Sequence, residues 1–306
     1  MTAPLLVSAY PLSPAHAQWD PALEAELLPA LCALPGVAGL EVPWMGGLHP
    51  HDDDWFLAHV PGVPLAVTPV PFVMRRVGED PRYGLASPDA EGRAAAVADL
   101  RRVAADVVRL RDESAAHVAV VTLHTAPRAT GDAAALARSL DEVTALDWSG
   151  AVLAIEHCDA HVPDRTPEKG FLPLADEIAA IRLADVPVGL WLNWGRSAIE
   201  LRDADAVTAQ IADAAASGLL TGLALSGAAP VESPYGYPWI DAHLPIAETH
   251  PASRSLLDRA HVAAALTAAG DVAWLGLKVA RRPDDRTVAD ILRTASANLD
   301  LVRASA

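Results

Sequence analysis

Glu41, His124, Glu156, His157, Asp159, Asn193, Arg196, Ser226 and Lys278 each stand at or just past the C-terminal end of a short apolar run. As a set they bring together carboxylates, imidazoles, an amide, a hydroxyl, a guanidinium and one of only two lysines in the chain. Such groups could hold a divalent cation or move a proton. Both tasks need donors that approach one point from several directions. Taken singly, each residue is equally well explained as a cap or a loop hydrogen-bonder. The chemistry therefore depends on whether the elements bring the set together.

Those elements alternate. Apolar, β-rich runs at Leu5–Ala9, Val37–Val42, Val63–Val70, His117–Leu123, Ala151–Glu156, Val186–Leu192, Leu220–Leu225 and Val272–Val279 read as eight strands. Their near-continuous hydrophobicity suits parallel strands covered on both faces. Helical period follows most of them. One helix starts with Asp20 as cap and Pro21 at the first position and runs to about Leu34; another starts at Ser87–Pro88 and puts Val97, Leu100, Val103, Val107 and Leu110 on one face. Further helices are expected over about Asp132–Leu146, Leu174–Leu183, Ala204–Ser217, Pro251–Ala268 and Thr287–Val302. The weakest unit is the second, whose connection Pro43–Gly62 shows little helical period.

Eight strand–helix units without a linker-like stretch predict one (β/α)8 barrel, a single domain over residues 1–306. A doubly wound open sheet would normally carry a glycine-rich first turn, and no GxGxxG or GxxxxGK[ST] follows any strand, so no nucleotide cofactor is expected. In a barrel the strand C-termini share one face, so the polar set converges there.

Composition narrows the partners. With 39 acidic against 23 basic side chains the net charge is −16, which opposes nucleic acid and anionic membranes. At 52% hydrophobic and 20% charged residues the chain can bury a large core. Cys32 and Cys158 form no CxxC, and no apolar run of membrane-spanning length escapes proline or charge. A cytoplasmic protein is expected, with a homodimer compatible with the sequence.

Gly39-Leu40-Glu41, Leu123-His124 and Ile155-Glu156-His157, on strands two, four and five, resemble the xylose isomerase-like barrel superfamily. That group holds sugar isomerases, sugar and keto-acid epimerases, inosose dehydratases and apurinic endonucleases. The resemblance spans the chain by strand order, and Asp241-Ala242-His243 is similar to the Asp-x-His metal pair of the endonuclease branch. It implies a metal site, but four positions depart from the pattern. Asn193 stands where strand six normally offers Asp, Ser226 where strand seven offers His, Lys278 where strand eight offers Glu, and Arg196 near a second strand-six ligand. Of the isomerase set only Glu156 is kept. Nuclease activity is the first branch to reject, given the charge and the missing ligands.

Two readings stay open. A shifted site could hold one divalent metal (Mn, Zn, Co or Mg) through Glu156, His124 or His157, Asp241 and His243. Alternatively the metal is gone, and Lys278 serves as electrophilic ammonium, base or Schiff-base amine, or simply pairs with Glu156.

Aromatic residues in the expected active-face loops, Trp44, Trp194, Tyr235, Tyr237 and Trp239, suit stacking on sugar faces, and the loop Gly227–His250 suits a lid. His49–Asp54 looks metal-like by composition but reads better as a solvated turn. Arg75, Arg76 and Arg82 could fork onto a phosphate or carboxylate. The resemblance and the residues together imply a sugar, sugar-phosphate or sugar-acid isomerase or epimerase that moves a proton beside a carbonyl. Glu156, Lys278 and His124 would be catalytic, while Glu41, Trp44, Asn193, Trp194, Arg196, Ser226 and Trp239 would line a small polyhydroxylated substrate. The alternatives are a non-catalytic carbohydrate-binding or regulatory barrel and a metal-independent lyase or aldolase using Lys278.

Overall fold

The computed structural model describes residues 3–305. Eight parallel strands, β1 (Leu5–Ser8), β2 (Val37–Pro43), β3 (Pro64–Thr68), β4 (His117–Leu123), β5 (Val152–Glu156), β6 (Val188–Asn193), β7 (Leu220–Leu225) and β8 (Trp274–Leu277), close a barrel in chain order. The helices are α1 (Pro21–Cys32), α2 (Asp53–His59), α3 (Val70–Glu79), α4 (Ala90–Glu113), α5 (Ala133–Thr144), α6 (Leu174–Ala184), α7 (Trp194–Leu201), α8 (Ala204–Ala216), α9 (Arg259–Ala269) and α10 (Val288–Arg303). Aspartate starts most of them. Asp20, Asp52, Asp89, Asp132, Asp203 and Asp258 each accept a first-turn N–H, and Thr287 forms a reciprocal box with Asp290.

Two compact units compose the chain. One runs up to Val42 and resumes at Leu192; the other is Pro43–Trp191. In the first, β1 pairs with β2 and β8, and β7 with β8. In the second, β3, β4, β5 and β6 pair in sequence. Leu6, Val7, Leu40, Leu223 and Leu277 fill the first core, and Leu65, Val120, Val121, Leu153 and Ile155 the second. Neither Cys32 nor Cys158 forms a disulfide, and burial pushes the Cys32 thiol up to about 11. No helix among the described residues is long and apolar enough to cross a membrane.

Several elements depart from the sequence reading. The run expected as one strand over Val63–Val70 stops at Thr68, and Val70 opens α3, because Pro69 and Pro71 suit a helix start but cannot serve a ladder. The Pro43–Gly62 connection holds α2, too short at seven residues to show a period. Helix α7 begins directly after β6; its first six residues are all buried, so no polar face betrays it. The expected helix over 251–268 is a 3-10 turn at Pro251–Ser253 and then α9, started by Asp258.

The expected lid over 227–250 is tied down. Gly227 and Leu244 exchange backbone hydrogen bonds at 2.8 and 3.1 Å, the Ile246 N–H donates to Asn298 Oδ1 at 2.9 Å, and the Ala280 N–H donates to the His243 carbonyl at 2.6 Å. It is an ordered crossover.

Candidate functional site

The second unit gathers its polar strand ends around Glu156, the last residue of β5. Glu156 Oε2 lies 3.2 Å from His124 Nε2, just past β4, and accepts from Thr68 Oγ1 at 3.4 Å, at the end of β3. All three side chains are buried. Successive residues face opposite sides of a strand, so His157 turns away from Glu156. Its Nδ1 lies 2.8 Å from Glu177 Oε2 on α6, and Glu177 Oε1 accepts from Thr125 Oγ1 at 2.8 Å. Both His157 and Glu177 are fully buried. Asp159 is a loop staple, its carboxylate accepting from the N–H groups of Glu168, Lys169 and Gly170.

The first unit holds two ion pairs, one at the ends of β2 and β8 and one between α7 and the connection after β7. Lys278, fully buried, donates to Glu41 Oε1 at 2.6 Å, and Ser8 donates to the other Glu41 oxygen. Glu41 is thus a charged partner of Lys278 that the sequence reading did not name. Arg196 Nε donates to Asp241 Oδ2 at 3.0 Å, and Asp241 Oδ1 lies 3.3 Å from His243 Nδ1. Ser226 Oγ lies 3.3 Å from the same Nδ1, while Tyr10 Oη is 3.2 Å from Nε2. Because serine and aspartate meet one nitrogen, this trio cannot relay a proton from the hydroxyl through the ring to the carboxylate. Burial lowers the His243 pKa and favours the neutral ring.

These neighbours also test the expected metal donors. In the second unit Glu156 and His124 offer an oxygen and a nitrogen of the kind a divalent ion takes. In the first unit the donors do not fit one. Asn193 Oδ1 caps α7 through the N–H groups of Gly195 and Arg196, and Glu41 and Asp241 already hold internal cations.

The aromatic expectations divide. Trp44 is buried against Phe72 and donates to Asp106 Oδ2 at 2.7 Å; Trp194 is fully buried edge-on to His261. Neither offers an exposed face. Trp239 is half-buried under the Arg202 guanidinium, and Tyr237 is exposed. Of the arginines, Arg76 pairs with Glu79 and Asp99, Arg82 with Asp80, Asp89 and Glu91, and Arg75 donates to the Met45 carbonyl. In the His49–Asp54 turn Asp52 caps α2 and Asp53 accepts the His49 N–H.

Thr68, Glu177, Ser8 and Tyr10 were not singled out in the sequence. Glu177 had a signal, a carboxylate at helical spacing with Leu174 and Ile181 on the buried face of α6. Tyr10 had only its place two residues past β1.

The closed eight-strand barrel has a xylose isomerase-like TIM fold, as its likeness to known structures shows. The IolI protein with a bound zinc atom superposes with a TM-score of 0.62 at 13% identity, covering 99% of both chains. L-ribulose 3-epimerase gives 0.60 at 18%, covering 99% of this chain and 96% of that one. Within this fold the chain belongs to the family described as Domain of unknown function (DUF4862), whose model matches residues 6–294. The uncharacterized protein STM3670 of Salmonella typhimurium is 37% identical over 270 residues, covering 86% of this chain and 84% of that protein.

Proposed function

We propose that this protein isomerises or epimerises a small polyhydroxylated carbonyl compound of the sugar class by moving a proton on the carbon beside the carbonyl. The observation that carries the reading is the buried Glu156 carboxylate at the end of β5, 3.2 Å from His124 Nε2. A carboxylate held out of water can take a proton from a carbon acid, and the adjacent imidazole can polarise the substrate oxygen or pass the proton on. Thr68 fixes the orientation of the carboxylate through its hydroxyl. The epimerase among the structural neighbours supports the substrate class by analogy of fold.

Amine chemistry at Lys278 is less well supported. A Schiff base needs an amine free to attack a carbonyl, and Lys278 Nζ is held 2.6 Å from Glu41 Oε1.

The test is proton exchange. A panel of aldoses and ketoses, including L-ribulose, is incubated with the protein in deuterated water, and loss of the carbon-bound proton is followed by NMR. The wild type should exchange at least one substrate, and Glu156→Gln should slow that exchange by roughly 10²–10⁴-fold with its circular dichroism unchanged. A variant that exchanges as fast as the wild type removes Glu156 from the reaction. A wild type inert to the whole panel removes the reading.

A further inference from the structure

We infer that, in the first unit, Lys278 and Arg196 take the electrostatic place of a divalent cation, so that these strand ends work without one. The inference rests on the charges alone and stands apart from the proton-transfer reading.

A divalent ion needs carboxylates or neutral imidazoles whose lone pairs are available and whose charge it can neutralise. The first unit has two such carboxylates, Glu41 on β2 and Asp241 in the connection after β7, and each already carries an internal cation. Glu41 receives Lys278 Nζ on one oxygen and the Ser8 hydroxyl on the other. Asp241 receives Arg196 Nε on one oxygen and faces His243 Nδ1 with the other. Both cationic side chains are buried, and neither can lend a lone pair while protonated. The amide oxygen of Asn193 is turned to the start of α7. Two carboxylates and two cations sum to zero, the balance that one metal with two carboxylates would give.

If Lys278 stands for a cation, removing it should open a cation site. In Lys278→Gln the Glu41 carboxylate is left buried without its partner, which destabilises the fold. We expect 1 mM MnCl2 to raise the melting temperature of this variant by about 5 °C, as for a ligand well above its dissociation constant, and to leave the wild type unchanged. If Lys278→Gln does not fold, refolding with and without Mn²⁺ replaces the melt, and recovery only with the ion counts as the same result. The double variant Lys278→Met/Glu41→Gln removes both members of the pair and should fold without responding to Mn²⁺. Elemental analysis of the wild type supplies the other arm. Metal that survives in Asp241→Asn and His243→Gln sits elsewhere and agrees with the inference. Metal lost in either variant, or a Lys278→Gln protein that Mn²⁺ does not rescue, overturns it.

Discussion

Burial is the largest influence on His243 and holds its pKa below the ordinary histidine range near 6.5; Asp241 pulls it upward, and Lys278 and Arg196 push it down. The sign of the stability effect follows. In the unfolded chain this imidazole takes up its proton as pH falls through about 6.5, whereas the folded protein resists, so between those points the unfolded state binds more protons. The contribution of His243 is therefore complete above pH 6.5 and declines below it until the folded ring itself protonates, with a slope of at most about 1.4 kcal/mol per pH unit. Denaturation of the wild type and His243→Gln at intervals from pH 8 to pH 5 should show the wild-type advantage shrinking on the acid side. Parallel curves would mean that His243 plays no part in the acid response. The neutral ring also matters locally, because with Nδ1 facing Asp241 it leaves Nε2 to accept from the Tyr10 hydroxyl.

Helix α7 shows why some elements could be read and others could not. The eight strands are legible because parallel strands covered on both faces must be apolar throughout, and the longer helices because one buried stripe marks them, although α4 is capped by Asp89 and not started at Ser87–Pro88. In α7 the stripe widens to the whole circumference: Trp194, Gly195, Arg196, Ser197, Ala198 and Ile199 are all buried. Strand-end positions were legible for a related reason, since barrel topology fixes where a strand's last side chain goes. The partners of those side chains were not, because Glu41 with Lys278 is a pairing 237 residues apart in sequence. The same closeness makes α7 sensitive. A Cβ on Gly195 would lie 2.7 Å from the Ser226 carbonyl oxygen and 3.2 Å from that of Gly227. Backbone cannot step aside as a flexible side chain does, so Gly195→Ala should cost about 1–3 kcal/mol in denaturant unfolding. A loss below about 0.5 kcal/mol would show that α7 shifts freely against the end of β7, and with it Asn193 and Arg196.

Across the whole molecule, charge constrains the substrate more tightly than shape does. The net charge of −16 repels anions at a distance, and within about a Debye length at physiological salt that repulsion is only partly screened. A phosphate-bearing substrate would need a local cationic pocket to overcome it. Of the three arginines that the sequence offered for that purpose, Arg76 and Arg82 are engaged with carboxylates and Arg75 donates to the Met45 carbonyl, while Lys278 and Arg196 are balanced by Glu41 and Asp241. Glu156 adds a further carboxylate. An uncharged sugar meets none of this repulsion. Under the proton-transfer reading, a neutral ketose should therefore exchange with a kcat/KM at least about tenfold above that of its own phosphate at low salt, the lower end of what electrostatic steering supplies. Raising NaCl from 10 to 300 mM should narrow the ratio, because screening relieves only the anion. A phosphate ester that exchanges faster than its parent sugar would place an unbalanced cation at the substrate and overturn this preference.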